Sequence, residues 1–501
     1  MRRTAHTTLL AACILLTATV SAATQSTRAD GLGLLGIAWS DPTPFLHGLI
    51  AAEQTPSAAR IAAGASLYQV RMTIAGGLSR TSIEMEIAFT NLEDEPLDEA
   101  VLRVFPPIVG GAVAISDSRV DGHPVDAVLD PVDGRLTLPL PASLLPRARA
   151  VLRLVAQIEV PPAPAEHYGI LEYTSDAVSL AHVLPTLAVH DAQGWHADRP
   201  PAYGDVTHAD AAFFVVEVVA PAGIRLIASG VETAQEIGAE IQTRSFAVGP
   251  AREFYVTATA DLEVMTEVVG EVTINSFAPS SLSGSAAQAL TTAVAAVQIY
   301  SSLYGPYPYR ELDIVASPIR AGGMEFPGLV LIGLAEYGKP PDPSEEPVDF
   351  FELAVAHEVG HQWFYNVVGN DQLGEPWLDE SLTQFATWRY FEARYGDVGD
   401  LGFASWTSGR LIVLPTPAPA IGMPVSSYSQ STYGATIYAL GPRFLKQLEQ
   451  LLGREALDDA LRAYATDYRW GLGTTAAIRG SLETACQCDL TLPFAQWVYA
   501  N

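Results

Sequence analysis

The chain has 501 residues, 49% hydrophobic and 17% charged, which excludes a disordered chain and leaves room for about two to four domains. Its 56 acidic residues outnumber 28 basic ones, for a formal net charge of −28. Nucleic acid and anionic membrane both require a basic face, so neither is expected as a partner.

Residues 1–23 read as an export signal. Arg2 and Arg3 give a positive start, Leu9 to Ala23 is apolar, and Val20-Ser21-Ala22 or Ser21-Ala22-Ala23 offers small residues for cleavage. The stretch is short for a membrane span, and no later segment approaches the roughly 20 apolar residues a span needs. The expectation is an exported chain (secreted, periplasmic or cell-surface) with no transmembrane span once mature. Leu10-Ala11-Ala12-Cys13 has the letters of a lipoprotein anchor, but the apolar run continues past Cys13. Cys486 and Cys488 are too close for an easy disulfide and lack the partners of a zinc knuckle, so they read as incidental.

Residues 24–64, rich in Ala, Pro, Thr and Gly, read as a loose extension with one short helix near Phe45 to Glu53. From 65 to 277 the pattern is β. Ile83, Met85, Ile87 and Phe89 alternate onto one face, Asp133-Gly134 signals a hairpin, and Ala212 to Val219 and Val272 to Phe277 read as strands. Short strands with Pro/Gly turns predict an all-β, saddle- or sandwich-like domain. The pattern changes at 278. Ala286 to Leu303 has helical spacing, strands are predicted at Leu312 to Ala316 and Gly328 to Gly333, and Lys339 to Pro347 is a loop. The rest, to 501, is mainly helical, so the fold class is α+β.

Within that last part lies His357-Glu358-Val359-Gly360-His361. Asp349 with Glu352 predicts a capping box, hence a helix here. Positions 357 and 361 then share a face one turn apart, so both imidazoles reach one metal with Glu358 beside it. The bland alternative is a buried apolar helix holding two satisfied histidines. A hydrolytic zinc needs a third protein ligand and an open fourth position. Glu380 follows His361 after eighteen residues, and Pro376 suits the start of a second helix that would return it against the first.

HExxH, eighteen residues and Glu resembles the gluzincin peptidases. Gly322-Gly323-Met324-Glu325-Phe326 is similar to the Gly-x-Met-Glu-Asn motif of the zinc aminopeptidase family of aminopeptidase N and leukotriene-A hydrolase. Tyr433-Gly-Ala-Thr-Ile-Tyr438-Ala-Leu-Gly441 is similar to that family's Tyr-x-Lys-Gly segment. The resemblance spans about residues 65 to 501. It implies a thermolysin-like, mainly helical zinc peptidase domain over 278–501 and peptide substrates. One Zn2+ per chain would be held by His357, His361 and Glu380. Glu358 would act as the base and Tyr438 as an oxyanion donor, a tyrosine that by itself reads as a core aromatic. Glu325 would hold the substrate's free amine, with Gly322, Gly323 and Met324 lining its approach and a second anchor expected near Leu184 to Gly194. Phe326, Asp379, Ser381 and Leu440 depart from the family's pattern, which puts substrate preference in doubt more than zinc chemistry. The chain stops 63 residues after Tyr438, so no C-terminal helical cover domain and a more open site are expected. A zinc endopeptidase or another zinc hydrolase on the same scaffold, or a non-catalytic binding protein, are the competing expectations. The oligomeric state is not legible.

Overall fold

The computed structural model describes residues 31–339 and 348–499; the export signal, Cys13 and most of the loop ending at Pro347 lie outside them. In chain order the helices are α1 (Ala51–Ala62), α2 (Ser283–Tyr304), α3 (Phe350–Gly360), α4 (Glu380–Tyr395), α5 (Asp397–Arg410), α6 (Gln430–Ala435), α7 (Gly441–Leu452), α8 (Arg454–Asp467), α9 (Thr475–Cys486) and α10 (Thr491–Trp497). Among the described residues no helix is long and apolar enough to cross a membrane.

A sheet-rich region precedes the helical one. Its eight-stranded sheet runs, in spatial order, Val231–Ile237, Ile241–Ala251, Ala212–Pro221, Leu67–Ile74, Arg80–Thr90, Arg149–Glu159, Ala112–Val120 and His123–Pro124. In Arg80–Thr90 the alternating Ile83, Met85, Ile87 and Phe89 are all at most 2% exposed, as their period of two requires. Two four-stranded sheets and a two-stranded one complete the region. The expected hairpin joins Val128–Asp130 to Arg135–Leu144. Gly134 there has φ 67°, and a Cβ would stand 2.4 Å from the Val104 carbonyl, so only glycine fits.

Three expectations are corrected. From residue 31 on, the extension is packed rather than loose: Trp39, Phe45 and Leu49 are buried, and Ile50 N–H donates to the Pro308 carbonyl at 3.1 Å. Arg469 pairs with Glu53 at 2.9 Å, so α1 ties the first part of the chain to the last. The strand Val272–Ala278 exists but does not close the β region. It pairs in parallel with Glu311–Ser317, inside a five-stranded sheet ordered Glu263–Val269, Val272–Ala278, Glu311–Ser317, Leu329–Gly333, Gly323–Phe326. The connection is α2, a right length of helix for a parallel crossover. Cys486 and Cys488 are bonded, with Cα atoms 5.2 Å apart. The turn at the end of α9, with Gln487 left-handed at φ 52°, folds the chain back far enough for a bridge that a straight strand would prevent.

α3 is buried all round, which explains a helix with no polar face. Only half of its predicted capping box forms. Asp349 Oδ1 accepts from the Phe351 N–H at 3.2 Å, while Glu352 instead accepts from Tyr390 at 2.6 Å and Tyr395 at 2.8 Å. That carboxylate therefore ties α3 to α4, the two helices that carry the candidate ligands.

Candidate metal centre

His357 lies in α3 and His361 caps its C-terminal end. Pro376 begins a 3-10 turn, Pro376–Leu378, and Glu380 is the first residue of α4 rather than one turn inside it. The three side chains converge. His357 Nε2 is 3.0 Å from Glu380 Oε2 and 3.1 Å from His361 Nε2, and His361 Nε2 is 3.5 Å from Glu380 Oε2. All three are buried. His361 Nδ1 donates to the Phe364 carbonyl at 3.0 Å, with Thr383 Oγ1 at 3.2 Å. That contact fixes the tautomer and leaves the Nε2 lone pair facing inward, as metal-binding imidazoles require.

The donor set fits zinc: two imidazole nitrogens and one carboxylate oxygen, mutually within 4.8 Å, with a further carboxylate beside them. The electrostatics agree. Glu325, Glu358, Asp379 and Glu380 are all buried, and such a group of acids calls for a cation. Burial pushes the Glu358 carboxyl well above its ordinary range, and its Oε2 finds no hydrogen-bond partner among the described residues. Burial, with Glu380 and Glu253 adding to it against the pull of His361, raises Glu325 to about 7. Asp379 is raised to about 8 by burial and then by Glu380. Burial opposes ionisation of Glu380 too, but the hydrogen bonds from His357 and His361 outweigh it and hold the carboxyl well below the usual range.

Glu325 sits on the short strand Gly323–Phe326. A Cβ on Gly323 would stand 2.3 Å from Glu358 Oε1, so this glycine makes room for Glu358; a Cβ on Gly322 would meet the Phe350 ring at 3.3 Å. Met324 lines the cleft beside them. Tyr438 lies on a π-helical turn, Thr436–Leu440, and donates from its hydroxyl to Glu380 Oε1. Its ring centroid is 5.7 Å from that of His357. π-Helical turns are uncommon and cluster at functional sites.

These residues line one cleft of about 670 Å3, within the range of small-ligand sites. Phe350, Leu353, Trp406 and Val413 form its apolar walls. From the sheet-rich region it receives Tyr168, Gly204 and Asp205, and none of the segment Leu184 to Gly194. Asp205 was not legible. It stands in a Pro/Gly-rich loop, yet its carboxyl lies within 4.8 Å of those of Glu325 and Asp379. A strained turn holds it there. His167, Tyr168 and Gly169 are all left-handed, at φ 53°, 61° and 74°. The Gly204 N–H donates to Tyr168 Oη at 3.0 Å, and His167 Nε2 donates to the Gly204 carbonyl at 3.1 Å. Burial lowers His167 to about 4, which keeps its imidazole neutral with the Nε2 proton committed to that bond. Gln372 was missed as well. Its amide nitrogen donates to Glu325 Oε1 at 3.2 Å and Asp379 Oδ2 at 2.7 Å, while its oxygen accepts from the Thr207 N–H at 2.7 Å.

Residues 288–497 match the sequence profile of the peptidase family M1 domain. Among curated proteins the chain is similar to human aminopeptidase RNPEPL1, 29% identical over 265 residues that cover 48% of this chain and 34% of the relative. It is also similar to aminopeptidase N of Lactobacillus delbrueckii subsp. lactis, 26% identical over 226 residues, 42% of this chain and 26% of that one. The chain thus spans about a third or less of the length of these relatives. Among solved structures, an M1 zinc metallopeptidase from Deinococcus radiodurans superposes with a TM-score of 0.67 at 21% identity, covering 87% of this chain and 93% of that one. The profile match, the shared architecture and the His-His-Glu grouping agree: over residues 288–497 this chain is similar to the peptidase family M1 domain.

Proposed function

We propose that the chain is a zinc-dependent metallopeptidase acting as an aminopeptidase, with one zinc per chain on His357, His361 and Glu380. The observation that carries this is the convergence of those three ligands with Glu358 on one side and Glu325 on the other. Zinc, when bound, supplies a Lewis acid and brings a coordinated water's pKa toward neutrality. Glu358 takes a proton from the attacking water at a carboxylate oxygen and returns it to the leaving amine. The Tyr438 hydroxyl donates to the developing oxyanion. Glu325 and Asp205 hold the substrate's α-ammonium, since charge-assisted bonds distinguish an ammonium from an amide. A protein of this family from Deinococcus radiodurans has been solved with a Tyr-Ser-Ala substrate, which supports peptides as the substrate class here.

The same proposal divides the chain into a β domain and a thermolysin-like catalytic domain, with the boundary just before Glu263, where the five-stranded sheet begins. Residues 1–23 support export; N-terminal sequencing of the mature protein, recovered outside the cytoplasm, tests it. Function is tested with a matched pair of peptides, one with a free N-terminus and one N-acetylated. Wild type is expected to cleave the free peptide and largely ignore the acetylated one, and Glu325→Ala to lose most of that activity while keeping its zinc. Equal cleavage of the pair by wild type would promote the endopeptidase reading.

A further inference from the structure

Ser381 follows Glu380 on α4 and is fully buried. Its hydroxyl donates to the carbonyl oxygen of Ile437 at 2.7 Å. Ile437 belongs to the π-helical turn that carries Tyr438. In a regular α-helix its carbonyl would accept from the N–H of residue 441. Here the Gly441 N–H goes to Thr436, five residues back, and the next position, Pro442, has no N–H to offer. Ser381 supplies the donor that the widened turn lacks, and a buried carbonyl without one would cost about as much as a lost hydrogen bond. Gly441 makes the approach possible: a Cβ there would stand 1.9 Å from Ser381 Oγ. Two ties therefore run from consecutive residues of α4 to consecutive residues of the turn. Ser381 holds the backbone at Ile437, and Glu380 accepts from the hydroxyl of Tyr438.

We infer that Ser381 is a positioning residue for Tyr438, an inference that rests on the oxyanion role proposed above. The ligand helix and the oxyanion donor come from segments 58 residues apart. The two ties set their relative placement, and the Ser381–Ile437 bond is the one that holds the backbone. With that bond gone, the buried Ile437 carbonyl has no donor and the turn must shift to find one, which moves Tyr438 relative to the ligands. A serine that merely satisfies a buried carbonyl would matter for stability and not for the transition state.

The experiment is steady-state kinetics of the full chain on a free-amine peptide, with zinc content and melting temperature measured alongside. Wild type, S381A, Y438F and the double variant are compared. Ser381→Ala is expected to lower kcat about 10-fold or more with KM nearly unchanged and zinc retained, because sub-ångström to 1 Å misplacements carry that cost. In the Y438F background the same substitution should change kcat by less than about twofold, since coupled residues fail to add. Ser381→Cys keeps the size with a weaker donor and gives the same comparison should S381A not fold. Wild-type kcat in S381A or S381C, with only the melting temperature reduced, overturns the inference. So does an equal loss of kcat in both backgrounds. Wild-type kcat in Y438F overturns the role of Tyr438 and this inference with it.

Discussion

Glu358 and Gly323 illustrate how closely the chemistry depends on single atoms. Glu358→Gln keeps the shape of the side chain and removes its capacity to accept a proton. The expected result is intact zinc binding and a loss of turnover on the order of 100- to 10,000-fold, the range of general acid–base contributions. Metal analysis and kcat on the same preparation check it, and wild-type turnover would remove Glu358 from the mechanism. Gly323→Ala removes no ionisable group. Its new methyl would stand 2.3 Å from Glu358 Oε1 and must displace the carboxylate. A stability cost of about 1–3 kcal/mol is expected from overpacking, together with a larger fall in kcat than in stability. A variant with unchanged kcat would show that Glu358 moves aside freely.

Between elements, helix α4 is held at two places, its first turn and its middle. Near Glu380 the tie is Ser381 to the Tyr438 turn. About two and a half turns further on, Arg389, whose side chain is only 1% exposed, bonds Glu392 at 2.9 Å, Glu449 of α7 at 2.8 Å and Asp458 of α8 at 2.8 Å. Removing one partner of a buried ionic network leaves the others uncompensated. Arg389→Ala is therefore expected to destabilise the protein by about 3–5 kcal/mol, far more than a surface ion pair would. Denaturant unfolding measures it, and a change below about 1 kcal/mol would mean that water replaces the guanidinium. The carboxylate of Glu352 does the equivalent work between α3 and α4, through Tyr390 and Tyr395 rather than through the cap its spacing suggested.

For the molecule as a whole, the site is a seam. His357 and His361 come from α3, Glu380 from α4, Glu325 from the five-stranded sheet, and Tyr168 and Asp205 from the sheet-rich region. A cation held by α3 and α4 would link two helices that otherwise gather buried negative charge. Chelation is expected to abolish peptide hydrolysis and lower the melting temperature, and zinc to restore both. A ligand at 1,000 times its dissociation constant stabilises the native state by about 4 kcal/mol. An identical melting curve with and without chelator would show that the ligands do not bind metal in the folded state.

The grouping of His357, Glu358 and His361 on one helix was readable because it depends on local periodicity. A helix brings residues four apart to one face wherever it forms, and HExxH states that geometry in five letters. The strands with clean alternation were readable for the same reason. Asp205, Gln372 and Ser381 were not, because their partners lie far away in the chain: Glu325 from Asp205 and Gln372, Ile437 from Ser381. The strand Val272–Ala278 was identified by its own pattern, but its sheet was decided by pairing with Glu311–Ser317. The Cys486–Cys488 bridge depended on a left-handed turn at Gln487, a backbone state that residue type alone does not impose. What the sequence by itself determined about this protein is therefore the local geometry of its candidate ligands. Which distant side chains close around them was decided only by tertiary packing, because contacts across the chain depend on how whole elements dock and not on the spacing of letters within one.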